Sequence, residues 1–306
     1  MDSVSEILQL QHSELLQERG WVVVDHFFPE NVALSLREEA DEASKAGKLS
    51  QHRFQFGTGT FEKPHIFEAD LHDEALQPHL PGFTELLFDD CLAKHLNTLL
   101  PGLQLQEGPK AKTLKLQRNA GKGGCFPCHY DNSGPPSKRG ITCLVYLNPD
   151  WKEGDGGELV LHPFLQAEVV IAPLLGRAIF FKSDLLLHSV RPAMAERYCF
   201  TIWLDSTATN HSEDCNLTVK ALQAAPENVE FFKRSPLQRA VSRAVYAEEY
   251  EESLLACMSG TTGCREMLEG HQKHVASQLD HSQLKPFLEY LRDFKSTEVA
   301  YMREAI

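Results

Sequence analysis

A series of eight short β-strand patterns between residues 111 and 206 constrains the fold of this chain most. The predicted strands cover residues 112–118, 125–129, 140–147, 157–162, 167–172, 177–182, 187–191 and 197–205. Turns rich in glycine and proline separate them, at residues 121–124, 134–136, 154–157 and 173–176. Short strands at such close spacing are typical of a sandwich or jelly roll.

Helical patterns flank these strands on both sides. Residues 4–18, 29–46 and 83–100 show helical features, and residues 21–24 are predicted as a strand. Beyond residue 206 the chain is mostly helical, with apolar stripes that we expect to pack into the core. We therefore expect an α+β fold in three parts: an N-terminal support region (1–110), a β core (111–206) and a helical C-terminal extension (207–306).

Residues 47–82 show no clear pattern and contain several glycines, prolines and phenylalanines. So long an irregular segment is uncommon in a compact domain unless it serves a function. Two interpretations stay open at this point. The segment is either a lid over a substrate or a plain connection packed by its own phenylalanines.

Two histidines and one aspartate within the predicted strands could form a metal site. His129 and Asp131 form an H-x-D motif at a predicted strand end, and His188 lies in a later strand. This is the ligand set of non-haem Fe(II) oxygenases, in which open positions take an oxo-acid cosubstrate and dioxygen. Arg197 suits the far carboxylate of 2-oxoglutarate, because a guanidinium binds a carboxylate bidentately. A chance pair of core histidines is the other interpretation.

Alternation along the strands predicts which side chains face the metal. In the last strand the inward set is Arg197, Cys199, Thr201 and Trp203, and the outward set is Tyr198, Phe200, Ile202 and Leu204. In residues 141–147 the two sets are Thr142, Leu144 and Tyr146, and Ile141, Cys143, Val145 and Leu147.

The cysteines offer a competing interpretation of the same segment. Cys125, Cys128 and His129 match C-x-x-C-H, the attachment pattern of c-type haem, and also contain a possible redox pair. Iron ligation fits the β-strand context and the nearby aspartate better. No apolar signal segment or membrane span is visible, so we expect all eight cysteines to be reduced and the protein to be cytosolic or nuclear.

The formal net charge of −13 argues against a general nucleic-acid-binding protein. One local exception is the basic segment from Lys110 to Lys122, which contains no acidic residue. We favour the solvated face of a strand for this segment. The alternative is a basic rim that attracts a dicarboxylate or an acidic peptide.

The segment from Arg118 to Asp205 resembles the prolyl 4-hydroxylase branch of the Fe(II)/2-oxoglutarate oxygenases, and the hypoxia-factor prolyl hydroxylases in particular. The resemblance rests on residues 129–132, 141–148, 150–151, 156–159, 180–184, 188–193, 197–198 and 201–203, with a weaker likeness at residues 18–27. It implies a double-stranded β-helix. The family often has a tyrosine ten residues before the first histidine, where this chain has Asn119.

The resemblance also implies roles for individual residues. His129, Asp131 and His188 correspond to the iron ligands, and Arg197 to the partner of the 2-oxoglutarate 5-carboxylate. Tyr146 corresponds to a tyrosine that helps to hold that carboxylate. Two further pocket-lining residues are Thr201 and Trp203. Ascorbate is the implied reductant.

The expected activity is hydroxylation of a polypeptide, with proline as the target, by dioxygen and 2-oxoglutarate with release of succinate and CO2. The same chemistry on a small molecule or another side chain is one alternative. A catalytically inactive binding protein built on the oxygenase fold is another. The intact ligand set together with Arg197 argues against the inactive protein. The sequence predicts neither the oligomeric state nor the role of the C-terminal helices.

Overall fold

Two antiparallel sheets form the centre of the protein. The computed structural model describes residues 7–56, 59–209 and 217–304. The strands are β1 (Trp21–Val24), β2 (Ser50–Phe56), β3 (Gly59–Asp70), β4 (Lys112–Asn119), β5 (Gly124–His129), β6 (Arg139–Tyr146), β7 (Leu159–His162), β8 (Val169–Ile171), β9 (Ala178–Lys182), β10 (Leu187–Ala193) and β11 (Arg197–Asp205). The larger sheet has the order β1-β9-β6-β11-β4-β3-β2, and the smaller one has the order β5-β10-β7-β8.

The eight strands predicted between residues 111 and 206 are all present, and they divide equally between the sheets. Strands β4, β6, β9 and β11 lie in the larger sheet, and β5, β7, β8 and β10 form the smaller one. This is the double-stranded β-helix that the resemblance implied. The division of the chain at residues 110 and 206 stays a prediction, although β1, β2 and β3 extend the sheet of the core.

The two faces of β11 confirm the predicted alternation. Its outward side chains join the main hydrophobic core with the N-terminal helices, where the ring of Phe200 meets that of Phe83 edge-on at 5.3 Å. Its inward side chains, from Arg197 to Trp203, line a pocket between the sheets. Strand β6 divides in the same way, because Ile141 and its companions join the main core while Tyr146 and Leu144 lie inside.

Four helices cover the outer face of the larger sheet. They are α1 (Leu10–Arg19), α2 (Glu30–Lys45), α3 (Pro81–Phe88) and α4 (Cys91–Leu99). The single helix predicted over residues 83–100 is therefore two helices. The chain is extended at Asp89, whose carboxylate accepts a hydrogen bond from the N–H of Cys91 at 2.6 Å. Such a local side-chain bond offers the backbone an alternative to the helix.

The prediction that residues 47–82 are irregular is mostly wrong. Strands β2 and β3 pair antiparallel, with an irregularity between Gln51 and Arg53 that leaves residues 63–66 of β3 without a partner in β2. Ile66 to Asp70 of β3 pair with Asn119 to Lys115 of β4. The hairpin forms the edge of the larger sheet, where both of its faces carry half-buried or exposed side chains. A strand without a continuous apolar face lacks the alternation by which strands are recognised.

In the described part of the chain after residue 217, five helices follow the core: α5 (Pro226–Arg234), α6 (Gln238–Val245), α7 (Ala247–Met258), α8 (Cys264–Asp280) and α9 (Lys285–Glu304). The two predicted apolar stripes are buried together in one cluster, which also contains Cys128 and Leu187 of the smaller sheet. The helical extension therefore packs on the smaller sheet. No helix within the described residues combines the length and apolar character of a membrane span.

The expectation that every cysteine is a free thiol is wrong for two of them. Cys125 of β5 and Cys257 of α7 form a disulfide. Five others are free, namely Cys91, Cys128, Cys143, Cys199 and Cys264, and Cys215 lies outside the described residues. Because Cys125 pairs across 132 residues with Cys257 and not with Cys128, the segment is neither a C-x-x-C redox pair nor a haem attachment motif.

Candidate metal and cosubstrate site

The three predicted metal ligands meet at the inner face of the smaller sheet. His129 ends β5 and lies directly opposite His188 of β10 in the strand register. Asp131 follows two residues after His129, so the chain turn brings its carboxylate between the two rings. Its Oδ1 is 3.6 Å from Nε2 of His129 and 3.8 Å from Nε2 of His188. The ligand atoms all lie within 4.8 Å of one another, which suits one metal ion.

Backbone carbonyls orient both imidazoles. Nδ1 of His129 lies 2.8 Å from the carbonyl oxygen of Pro127, and Nδ1 of His188 lies 3.1 Å from that of Leu186. A carbonyl oxygen only accepts, so each Nδ1 carries the proton and donates it. In the neutral ring each Nε2 then carries the lone pair, on the side of Asp131. Such backbone contacts fix the tautomer of metal-binding histidines.

The carboxylate of Asp131 is held in the complementary way. The hydroxyl of Thr142 donates to Oδ2 at 2.8 Å and is itself 2.9 Å from the hydroxyl of Ser183. Oδ1 is thus left to face the histidines. Burial alone would raise the pKa of Asp131, but the two nearby imidazoles bring it below the usual value. Desolvation, assisted by His188, lowers the pKa of His129 to about 3. The ring is then neutral at physiological pH, as metal binding requires.

Arg197 occupies the other end of the site, and no residue that the structure describes is its counter-ion. Its side chain is buried, and its Nη1 donates to Sγ of Cys199 at 3.2 Å. Its Nε makes no hydrogen bond within the described chain, and neither does the hydroxyl of Tyr146, whose ring centre is 4.8 Å from the guanidinium. A Cβ at Gly157, where φ is +76°, would stand 2.7 Å from Cδ of Arg197. The glycine thus leaves room for the guanidinium.

These unpaired groups fit the cosubstrate. A buried guanidinium without an anion is costly, and a ligand carboxylate removes that cost. Burial raises the pKa of Tyr146 to about 12, so the phenol keeps its proton and can donate to the same carboxylate. The donor set of two imidazoles and one carboxylate fits Fe(II). The metal ligands and the Arg197–Tyr146 pair therefore suit the two ends of a chelating dicarboxylate such as 2-oxoglutarate.

One pocket of about 370 Å³ connects the metal ligands with Arg197. Six of the seven predicted site residues line it, namely His129, Asp131, His188, Arg197, Thr201 and Trp203. Tyr146 is not on the pocket wall but buried beside Arg197. Arg139, which the sequence reasoning missed, stacks at 4.1 Å over the ring of Trp203 and donates to the carbonyl oxygen of Asp131 at 3.2 Å.

The opposite wall of the pocket comes from β2, β3 and β4. It consists of His52, Phe54, Lys63, Glu68, Lys115 and Gln117. Sequence reasoning missed four of these because it interpreted residues 47–82 as irregular. Asn119, at the position of the family's tyrosine, donates to the carbonyl oxygen of Gly124 at 2.6 Å and does not line the pocket.

The interpretation of Lys110 to Lys122 as the solvated face of a strand is wrong for the middle of the segment. Lys112 is buried and lies 2.9 Å from a carboxylate oxygen of Asp90. Lys115 lines the pocket, and its Nζ lies 3.1 Å from Oε1 of Glu68. The alternation of β4 places the two side chains on opposite faces, Lys112 on the face of the main core and Lys115 on the face of the pocket. The segment from Lys110 to Lys122 therefore contributes one lysine, Lys115, to the pocket wall and does not form a basic rim.

The C-terminal helices hold the segment that carries His129 and Asp131. The hydroxyl of Tyr130 lies 2.6 Å from that of Ser242 in α6. From the same helix, Arg239 donates to the carbonyl oxygen of Asn132 at 2.7 Å. The Cys125–Cys257 disulfide links the same strand to the C-terminal helices. Sequence patterns did not predict these contacts, because none of the groups that make them belongs to a motif.

Comparison with known proteins agrees with this geometry. The model of the 2OG-Fe(II) oxygenase superfamily matches residues 114–205. Human Prolyl hydroxylase EGLN3 is 33% identical over 228 residues, which cover 70% of this chain and 91% of that protein. Human Egl nine homolog 1 is 28% identical over 192 residues, which cover 61% of this chain but only 44% of the relative.

A solved structure extends the likeness to the whole chain. The crystal structure described as that of prolyl 4-hydroxylases from Phytophthora capsici is 42% identical, with a TM-score of 0.85. The superposition covers 97% of this chain and 95% of that one, so the C-terminal helices are included. The chain therefore belongs to the 2OG-Fe(II) oxygenase superfamily, and within it to the prolyl hydroxylase type.

Proposed function

We propose that the protein is an Fe(II)- and 2-oxoglutarate-dependent dioxygenase that hydroxylates a polypeptide at proline. One observation supports this most. At one end of the pocket stands a buried guanidinium whose Nε has no partner among the described residues, and the other end presents three metal ligands. The hydroxyl of Tyr146, buried beside that guanidinium, has no partner there either. Similarity to the Phytophthora capsici prolyl 4-hydroxylases and to human Prolyl hydroxylase EGLN3 supports proline as the target.

In this proposal each group of the site has a separate task. His129, Asp131 and His188 would hold Fe(II), which when bound supplies dioxygen activation coupled to decarboxylation of 2-oxoglutarate to succinate. Arg197 and Tyr146 would bind the distal carboxylate of the cosubstrate and so fix its orientation. The surrounding apolar side chains, Leu144, Leu159, Phe181 and Val190 among them, would exclude water.

The first test replaces Arg197 by alanine. Removing one partner of a buried charge pair costs about 3–5 kcal/mol, so KM for 2-oxoglutarate should rise by about two to four orders of magnitude. Metal binding, followed by Co(II) titration, should persist because Arg197 is not a ligand. Arg118→Ala is the matched control, since that arginine pairs with Glu196 outside the pocket. An unchanged KM in Arg197→Ala would contradict the assignment.

A second test addresses the substrate. The protein is incubated with Fe(II), 2-oxoglutarate and a cell lysate, and peptides that gain one oxygen are identified by mass spectrometry against Asp131→Ala. Oxidised prolines that require the intact site support the proposal. A metabolite that changes instead would replace the polypeptide by a small molecule. If no succinate forms, the interpretation as a catalytically inactive binding protein replaces the proposed activity.

We also propose ascorbate as the reductant and the cytosol or nucleus as the location. The resemblance to prolyl hydroxylases supports ascorbate. Five free cysteines support a reducing compartment, while the Cys125–Cys257 disulfide is the observation against it. The test for the reductant is whether added ascorbate restores turnover after ascorbate has been depleted. The test for the location is imaging of the tagged protein.

A further inference from the structure

Lys63 is a buried cation in the wall of the pocket, close to the metal ligands. It belongs to β3, and only 7% of the residue is exposed. Its Nζ lies 3.7 Å from the ring centre of Phe126 and 5.4 Å from that of Phe54. The ring of Phe126 is in turn 6.2 Å from that of His129. The ammonium group therefore stands about one aromatic ring away from a metal ligand.

The ammonium group of Lys63 has no anionic partner among the residues that the structure describes. The carboxylate near it, Glu68, is already engaged by His52 at 2.7 Å and by Lys115 at 3.1 Å. The aromatic faces attract a cation but replace only part of its hydration. Accordingly, burial lowers the pKa of Lys63 to about 7. A lysine in this state gains considerably from an incoming carboxylate.

The charges of the loaded site leave this cation uncompensated. Fe(II) and Arg197 are positive, and dianionic 2-oxoglutarate and Asp131 balance them. Glu68 is balanced by Lys115. What remains on the pocket wall is Lys63, together with Arg139, whose guanidinium is stacked on Trp203. The substrate thus meets a positive surface in a desolvated pocket, where an unmatched charge matters most.

We propose that Lys63 determines substrate specificity by pairing with a carboxylate that the polypeptide carries close to the hydroxylated residue. The inference rests on the proposed function and narrows its substrate class to acidic sequences around the target. An aspartate or glutamate side chain is one source of the carboxylate, and a free C-terminus is the other. A charge-assisted hydrogen bond of this kind contributes about 1.5–3 kcal/mol, or roughly tenfold to hundredfold in selectivity.

A peptide library tests this with the full-length protein. The peptides carry a central proline and randomised flanks, with acetylated N-termini and either amidated or free C-termini. Each is scored by mass spectrometry for the gain of one oxygen. The wild type should favour aspartate or glutamate over asparagine or glutamine by tenfold or more at one flanking position. In the free-ended set, a preference for proline next to the terminus would identify the terminal carboxylate as the source.

The variants separate charge from structure. Lys63→Met keeps the length of the side chain and should lose the acidic preference through a higher KM for acidic peptides. Lys63→Glu should reverse the preference towards lysine or arginine. The control is Lys122→Met, at an exposed lysine outside the pocket. Co(II) titration should show the metal site intact in both Lys63 variants.

The outcomes distinguish this inference from the function on which it rests. Hydroxylated prolines without an acidic preference in the wild type overturn the role of Lys63 but leave the proposed function standing. An acidic preference that survives in both Lys63 variants also overturns the role of Lys63 and leaves the proposed function standing. A wild type that hydroxylates no proline in any peptide overturns both. If one Lys63 variant does not fold, the other decides, and a wild type without the acidic preference overturns the role of Lys63 in either case.

Discussion

The hydroxyl of Thr142 orients the carboxylate of Asp131 in the metal site. Thr142→Val keeps the shape of the side chain and removes the donor to Oδ2 of Asp131. Loss of such an outer contact typically weakens metal binding 10–100-fold. We expect a decrease of that size in Co(II) affinity, measured by titration. Thr142→Ser, which keeps the hydroxyl, should bind as the wild type does, and equal affinity of the valine variant would contradict the prediction.

His162 should make stability fall in weak acid. It is buried, its contact to Sγ of Cys128 is 3.7 Å long, and desolvation lowers its pKa to about 4 from an ordinary 6.5. The unfolded chain therefore binds the proton first as pH falls. The contribution of the neutral ring is fully present above pH 6.5 and is lost between pH 6.5 and 4. It amounts to roughly 3 kcal/mol.

The variant His162→Gln checks this assignment. Its free energy of unfolding, from urea titrations across that pH range, should decline less steeply than that of the wild type. Parallel curves would mean that another group titrates. His281→Gln, at an exposed histidine, serves as the control.

At the scale of elements, α6 is expected to support metal binding without touching the metal. Ser242→Ala removes the nearer partner of the Tyr130 hydroxyl, at 2.6 Å, and leaves Oε1 of Gln238 at 3.4 Å. We therefore expect a cost at the lower end of the roughly 1–3 kcal/mol of a lost hydrogen-bond partner. Since Tyr130 adjoins both His129 and Asp131, Co(II) affinity should fall together with stability. Ser296→Ala in α9 removes an exposed serine and should change neither. Loss of stability with full affinity would confine α6 to a structural role.

Strands with a continuous apolar face could be predicted from the sequence, and edge strands could not. In β11, residues from Arg197 to Leu204 alternate so regularly that both faces, and the pocket-lining residues with them, follow from spacing. The β2–β3 hairpin lacks such a pattern because solvent or the polar pocket meets most of its side chains.

The same limit explains which site residues were missed. Lys63 could not be recognised, since a lysine is ordinarily exposed and its burial depends on Phe54 and Phe126. The ligands were predictable because their chemistry is specific and because His129 and Asp131 form a short motif. Contacts such as Tyr130 to Ser242 span 112 residues and carry no motif.

At the scale of the whole molecule, the Cys125–Cys257 disulfide should stabilise the folded chain by joining β5 to α7. A crosslink across a long loop typically contributes 2–4 kcal/mol. We expect the Cys125→Ala/Cys257→Ala variant to unfold at lower urea concentration than the wild type, by about that free energy. Cys91→Ala, at an exposed free cysteine, should not. Peptide mapping without reductant should recover the crosslinked pair, and its absence in folded protein would contradict the pairing.

The charge of the pocket is opposite to that of the protein around it. The whole chain carries −13, whereas the pocket wall presents Lys63, Lys115, Arg139 and Arg197 against Glu68 and Asp131. An anionic ligand is therefore repelled at long range and attracted only after it has entered. Dissolved ions screen the distant repulsion more than the enclosed attraction. Moderate salt should thus accelerate the arrival of 2-oxoglutarate, the reverse of the slowing seen where surface charge steers a ligand inward.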